Sequence, residues 1–296
     1  MTRMPAFAGL LLLVAGCGGG VDEAPGAEEA NPGPAQRIVT FAPHLAEMMH
    51  AVGAGGQLVG VSAWSDYPPA VRDLPVVGDA FTVDQEQLRL LEPDLLLVWQ
   101  SGMPSHTVDE LRQGGYRVEV IRTRGVADVS SAMSRIGELT GQQGGAAEAV
   151  ARYESEIGDL RTTYADAEPI SVFFQVSARP LYTVNNEHFI SDVIAVCGGQ
   201  NVFADLSDLA PTVAVEAVIE RDPDVMLAGT NAGNEAFAVW SRWPELAANR
   251  FGNQFLIPDE SIGRPTPRLA AAGRAVCLAL DQARDKRAAV LAGESP

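Results

Sequence analysis

Lysine is almost missing from this chain: Lys286 is the one lysine in 296 residues, so nearly every cation is an arginine. Positive charge as a whole is scarce, with 21 basic against 38 acidic residues and a formal net charge of -17. That balance excludes nucleic acid as a partner, because phosphates need a basic surface. Catalytic motifs are missing too. A dinucleotide enzyme carries Gly-x-Gly-x-x-Gly between its first strand and helix, whereas the turn here is Ala42-Pro43-His44. Gly53, Gly55 and Gly56 fall after that helix, where glycine ends helices. No P-loop, Gly-x-Ser-x-Gly elbow or His-Glu-x-x-His occurs, so the chain does not read as an enzyme. The four histidines, His44, His50, His106 and His188, are dispersed. A transition-metal site needs several such ligands to converge, so no metal ligand is assigned. His44 reads as a polar residue at a helix start and His50 as a surface or core-edge residue.

Cysteine is also sparse, with three in the chain. Arg3 precedes an apolar run from Ala8 to Ala15 that closes on Leu13-Val14-Ala15-Gly16-Cys17. The run is shorter than the roughly 20 apolar residues of a stable membrane span. A basic start, a short apolar core and small residues at its end form a signal peptide, residues 1–16. Small residues directly before a cysteine resemble a bacterial lipobox, in which Cys17 is acylated and becomes the first residue, a membrane anchor. Cleavage there leaves two thiols, Cys197 and Cys277. In an oxidising compartment such a pair invites a disulfide, with two separate buried thiols as the alternative.

Residues 17–36 are rich in Gly, Ala and Pro, with almost nothing to bury, and read as a flexible tether. Folded sequence is expected from Arg37. Short β-branched runs then alternate with amphipathic stretches: Ile38–Phe41, a helix from Pro43, Val59–Val61, a helix from Asp84, Leu95–Trp99, another helix, and Arg117–Ile121. This is the pattern of parallel βαβ units, an α/β lobe over 37–125. A helical segment, 126–168, follows. Within it Val150, Tyr153, Ile157 and Leu160 lie three or four residues apart, a stripe along one face. Its last helix, Ala146 to about Ala165, is about 20 residues and roughly 30 Å long, enough to brace two lobes. Alternation restarts over 169–296: Ile170–Val176, Leu181–Val184, a helix His188–Val196 ended by Gly198-Gly199, a helix Val215–Glu220, Val225–Ala228, Phe255–Ile257 and a closing helix Leu269–Ala283.

An internal repeat relates the two lobes. Glu86-Gln-Leu-Arg-Leu-Leu-Glu-Pro93-Asp94 matches Glu216-Ala-Val-Ile-Glu-Arg-Asp-Pro223-Asp224, each glutamate seven residues before its proline and each Pro-Asp feeding an apolar strand. In open α/β sheets, ligands bind at the carboxyl ends of strands. Trp64 and Trp99 follow strands there, and Tyr182 lies in the first crossover of the second lobe. Such flat side chains suit a large, flat, partly apolar ligand, with core packing as the alternative for each.

At these residues the chain resembles the cobalamin-binding proteins of ABC importers, within the siderophore-, heme- and cobalamin-binding class. The carriers are Arg37-Ile-Val-Thr-Phe-Ala-Pro-His-Leu-Ala-Glu47, Val59-Gly-Val-Ser-Ala-Trp-Ser-Asp-Tyr-Pro-Pro69, Leu91-Glu-Pro-Asp-Leu-Leu-Leu-Val-Trp99, Thr183-Val-Asn-Asn-Glu-His-Phe-Ile-Ser-Asp192, Cys197-Gly-Gly-Gln-Asn-Val-Phe203 and Arg264-Pro-Thr-Pro-Arg268. The resemblance runs from Arg37 to about Arg284. It implies two Rossmann-like α/β lobes joined by a rigid interlobe helix, with cobalamin or a close corrinoid held in the cleft. The cobalt arrives already chelated, so cobalamin is cargo and no protein metal ligand is needed. Ligand-contacting positions would be Trp64, Asp66, Tyr67, Trp99, Tyr182, Glu260, Ser261, Ile262 and Arg264. Glu86 and Glu216 match transporter-facing glutamates that dock on an ABC permease dimer, and Cys197 and Cys277 fall where the family places a disulfide. The setting implied is a periplasmic, lipid-anchored monomer. Two departures keep heme and a ferric siderophore open as alternatives: Ala210 stands where the family has one tryptophan, and a second falls near Ala80 or Phe81; a metal ion stays open, less strongly, through dispersed histidines that meet in space.

Overall fold

The computed structural model describes residues 33–79, 81–233 and 235–293. The segment read as a signal peptide, Cys17, most of the tether and Ala80 lie outside them.

The first half contains β1 (Ile38–Thr40), α1 (Pro43–Ala51), β2 (Leu58–Val61), α2 (Gln85–Leu91), β3 (Leu95–Trp99), α3 (Ser105–Gln113) and β4 (Val118–Ile121). Then come α4 (Val126–Thr140) and α5 (Gln143–Thr163). The second half contains β5 (Ile170–Gln175), β6 (Ser177–Ala178), β7 (Leu181–Tyr182), α6 (Phe189–Val196), β8 (Gly199–Asn201), α7 (Val215–Arg221), β9 (Val225–Gly229), α8 (Ala247–Arg250), β10 (Gln254–Ile257), α9 (Asp259–Ile262) and α10 (Leu269–Leu291).

Each half forms a four-stranded parallel sheet, ordered β2-β1-β3-β4 in the first and β8-β5-β9-β10 in the second. Setting aside the β6–β7 hairpin, the chain visits the two sheets in the same order. The repeat seen in the sequence is therefore a repeat of topology. Its conserved spacing has a local cause. Glu92 and Asp222 end α2 and α7 in the left-handed region, at φ 44° and 40°. The aspartate after each proline then fastens the neighbouring strand. Asp94 accepts from the backbone N–H groups of Gln36 and Arg37 at 2.7 and 3.0 Å, and Asp224 accepts from the Ser171 N–H and the Ser171 hydroxyl at 3.2 and 2.9 Å.

Successive strand residues point to opposite faces, and both faces here are apolar, as parallel strands require. Ile38, Leu95 and Leu97 face a core that runs without a break through α1, α4, α5, α6 and α10 into Val172, Phe174 and Leu227 of the second sheet. Val39, Leu96 and Val98 face a separate outer core with Leu88 and Leu111, and Phe173 and Met226 face another with Phe203 and Trp240.

The helix α5 buries Ala146, Ala149, Tyr153, Ile157 and Leu160, close to the expected stripe, and packs on α1 and α4 on one side and α6 and α10 on the other. Burying Ile157 or Leu160 contributes about 1.5–3 kcal/mol each. Tyr153 also donates its hydroxyl to the Val126 carbonyl at 3.0 Å, and Asp192 of α6 accepts from the Val126 N–H at 3.0 Å. Cys197 and Cys277 form a disulfide with Cα atoms 4.8 Å apart, joining the end of α6 to α10.

Several sequence expectations are corrected. Packing begins before Arg37: Ala35 is buried and its N–H meets the Leu139 carbonyl at 2.8 Å. The helix expected from Ala146 starts three residues earlier, at Gln143, because Gly141 at φ 75° ends α4 and the chain re-enters a helix at once. Gly199 begins an edge strand rather than closing a helix, and α10 continues eight residues past Ala283.

Candidate ligand-binding cleft

The two sheets direct the carboxyl ends of their strands toward a shared cleft. Three cavities occupy it. The largest, about 630 Å3, is lined by Asp66, Tyr67, Arg72, Thr230, Asn231, Asp259, Glu260, Gly263, Arg264 and Arg268. A second, about 260 Å3, lies in the first lobe between Phe41, Ala42, Trp64, Phe81 and Trp99. A third, about 280 Å3, lies in the second lobe and shares Trp99 with the second and Asn231, Asp259 and Gly263 with the first. Each includes residues that follow a strand closely, such as Phe41, Ser62, Val176 and Thr230, the position α/β sheets give their ligands.

Trp64 stands 81% exposed with its backbone at φ 66°. That region disfavours any residue with a Cβ, and the side chain gains no core packing in return. Phe81 is 80% exposed and lines the same cavity. Its loop is fixed by Asp79, whose Oδ1 accepts from Phe81 N, Thr82 N and Thr82 Oγ1 at 2.8, 2.8 and 2.9 Å. These bonds hold the Asp79 carboxyl below its ordinary pKa. Gly78 at φ 123° is required for that turn, since a Cβ there would overlap the Thr82 carbonyl.

Trp99 divides the two smaller cavities and packs edge-on to His44, ring centroids 5.0 Å apart. His44 is at the start of α1 as expected, but buried, and its Nε2 has no partner among the described residues. Burial, and secondarily the Arg264 charge, pull its pKa down to about 3, so the ring is neutral at pH 7.

Arg264 crosses the cleft. It donates to Asp66 Oδ1 at 2.6 Å and to the Trp64 carbonyl at 3.1 Å, and these contacts lower the Asp66 pKa. Arg268 lies over the Tyr67 ring, 4.1 Å from its centroid.

Of the positions expected from the resemblance, Trp64, Asp66, Tyr67, Trp99, Glu260, Ile262 and Arg264 all line the cleft cavities. Tyr182 does not: it is held on the β6–β7 hairpin, paired with Ser177 and bridged to Thr212. Ser261, inside the short helix α9, is buried with its hydroxyl donated to the Pro258 carbonyl at 3.0 Å. Ala210 lines the third cavity. Sequence reading missed His188, Asn231, Asp259 and Arg268 as cleft residues. The signal available was position alone, since Asn231 and Asp259 each follow a strand of the second lobe. Glu86 and Glu216 are both exposed, each the second residue of a seven-residue helix.

Two parallel sheets with one aromatic-lined cleft at their strand ends, braced by a helix, define a two-lobed binding protein. The chain belongs to the periplasmic binding protein family, whose model matches residues 38–260. It is 33% identical over 249 residues to the vitamin B12-binding protein of Vibrio cholerae, covering 84% of this chain and 90% of that one. It is 30% identical over 255 residues to the vitamin B12-binding protein of Vibrio parahaemolyticus, covering 86% and 92%. The crystal structure of the periplasmic vitamin B12 binding protein BtuF of Vibrio cholerae superposes with a TM-score of 0.79 at 32% identity, over 85% of this chain and 98% of that one. The periplasmic heme-binding protein RhuT of a Roseiflexus species superposes with a TM-score of 0.73 at 22% identity, over 84% and 99%. That second likeness is one of fold.

Proposed function

We propose that this chain captures cobalamin, or a close corrinoid, and delivers it to the permease of an ABC importer. One observation carries the reading: Trp64, Phe81, Trp99 and Tyr67 line a common cleft in a chain 33% and 30% identical to two vitamin B12-binding proteins. A corrinoid is a broad, flat ring whose faces suit aromatic walls. It enters with its metal chelated, and the described residues hold no group of three or more His, Cys, Asp or Glu placed for a metal ion. The protein is held at the membrane through Cys17 after loss of residues 1–16. Glu86 and Glu216, one on each lobe, meet the permease. Calorimetric titration of the domain from Gly33 with cyanocobalamin and with hemin tests the cargo. Saturable, stoichiometric uptake of cyanocobalamin supports the reading, and uptake of hemin alone overturns it.

A further inference from the structure

The third cavity has a polar inventory that the aromatic walls do not explain. Most of its lining is apolar: Trp99, Phe174, Val184, Phe189, Ile190 and Ile262. Three polar residues, His188, Asn231 and Asp259, complete the lining. His188 precedes α6, and its Nδ1 accepts the N–H of Ile190 at 3.2 Å. With Nδ1 occupied as an acceptor, the neutral ring carries its proton on Nε2, and the only hydrogen bond the ring makes among the described residues is the one at Nδ1. Burial pulls the His188 pKa down to about 4, so at pH 7 it is a donor without charge.

Asp259 and Asn231 supply the opposite half. Their Oδ1 atoms converge on Gly229 from the two loops that follow β9 and β10, standing 2.5 and 2.9 Å from the place a Cβ on Gly229 would occupy. Neither oxygen accepts a hydrogen bond within the described residues, although the backbone N–H of Asp259 is satisfied by Thr230 Oγ1 at 3.0 Å. No lysine or arginine is among the residues lining the cavity. The neighbouring Arg264 is turned to Asp66 and the Trp64 carbonyl. Two convergent acceptors and one neutral donor in an apolar cavity form the complement of a primary amide, which offers two N–H donors and one carbonyl. A carboxylate fits badly, since it brings no donor for Asp259 and adds a second negative charge in a poorly hydrated place.

We propose that this cavity is a subsite for a primary amide on the rim of the bound ring, with His188 donating to the amide oxygen and Asp259 and Asn231 accepting from its nitrogen. The inference rests on the corrinoid reading, since corrinoids carry amides at the rim where heme carries carboxylates. The subsite therefore selects between the two ring systems by their edges, while the aromatic walls accept either face.

The test titrates the protein at pH 7 with cyanocobalamin and with the set of its monocarboxylates, each having one rim amide hydrolysed. One monocarboxylate is expected to bind about ten- to hundredfold more weakly than cyanocobalamin. Asp259→Asn, which replaces the charge with an amide able to donate, brings that same ligand back to within about threefold. His188→Phe weakens cyanocobalamin itself. Recovery of binding in Asp259→Asn is a gain, so misfolding cannot imitate it. Equal binding of all the monocarboxylates, or a penalty that survives Asp259→Asn, overturns the inference while leaving the corrinoid reading intact. Failure of the unaltered protein to bind cyanocobalamin overturns both.

Discussion

Arg268 meets Glu47 through two parallel hydrogen bonds, Nε to Oε1 at 2.8 Å and Nη2 to Oε2 at 2.6 Å. The pair ties the entry to α10 in the second lobe to α1 in the first, across 221 residues of sequence. The glutamate side chain is 4% exposed and the arginine 23%. Removing one partner leaves the other charge largely out of water, so Glu47→Ala should cost about 3 kcal/mol or more. Replacing both, as in Glu47→Leu with Arg268→Met, should recover most of that loss. Urea unfolding of the three variants measures the difference, and additive losses in the double variant would show that the two residues act independently.

Arg268 also lies over Tyr67, so this lobe-to-lobe tie is continuous with the cleft wall. Trp64, on the other side of the mouth, has a different character. Its left-handed backbone costs stability and its exposed ring recovers none of it by packing. Trp64→Gly is therefore expected to fold at least as stably as the parent. Loss of a large aromatic contact should weaken cyanocobalamin by roughly ten- to hundredfold. A drop in melting temperature with unchanged affinity would assign Trp64 to the scaffold.

How much of this was legible beforehand follows from how local each feature is. The buried parallel strands, the α5 stripe and the paired Pro-Asp turns were readable because periodicity and turn chemistry act over a few residues. Strand β8 was not, since Gly199-Gln200-Asn201 carries no β-branched residue and becomes a strand only by pairing with β5 at the sheet edge. In the cleft, Trp64 and Trp99 were visible as aromatics after strands. His188 and Asp259 were hidden, because only the tertiary fold of the second lobe brings them to the cavity that Asn231 also lines. Tyr182 lies outside the three cavities, because pairing with Ser177 and a bridge to Thr212 hold it on a hairpin.

Stability should depend on pH through His44 and His188. Both have pKa values depressed by burial, to about 3 and about 4, against about 6.5 in the unfolded chain. The unfolded state therefore binds more protons between these limits. The neutral-histidine contribution is whole above about pH 6.5 and is lost as the pH falls toward 4 and then 3, each ring adding a slope of up to about 1.4 kcal/mol per pH unit. Asp66 and Asp79, whose carboxyls are held below the free-aspartate value, add their own losses as the pH falls below about 3.9, at the lower end of the histidine window. Urea midpoints at pH 5 and pH 7 should differ by markedly less in His44→Phe than in the parent. Identical pH slopes would mean that His44 titrates normally.

Anchoring is separable from folding, because Cys17 precedes the packed chain, which is already buried at Ala35. In a bacterial host, Cys17→Ala protein should move from the membrane fraction to the soluble fraction with cyanocobalamin affinity unchanged. Identical fractionation of the two proteins would remove the lipid anchor from the proposal.

Glu86 and Glu216 offer the sharpest test of delivery. Each occupies the first turn of the helix that opens the repeated unit, so the duplication puts one exposed carboxylate on each lobe at equivalent places. A permease built from two like subunits would receive both through arginines in charge-assisted hydrogen bonds. A carboxylate in the first turn also gains about 0.3–1 kcal/mol from the helix dipole. This local role matters more at Glu216, because Asp84 caps α2 while α7 has no side-chain cap. Changing both glutamates to alanine distinguishes docking from that local role. For docking, cyanocobalamin affinity stays at the parent value while association with the permease and uptake are lost, and each single variant loses part of the association. For the dipole alone, the double variant melts slightly earlier, chiefly through Glu216, and still delivers its cargo. Uptake by the double variant at the parent rate would therefore strip both residues of a transport role.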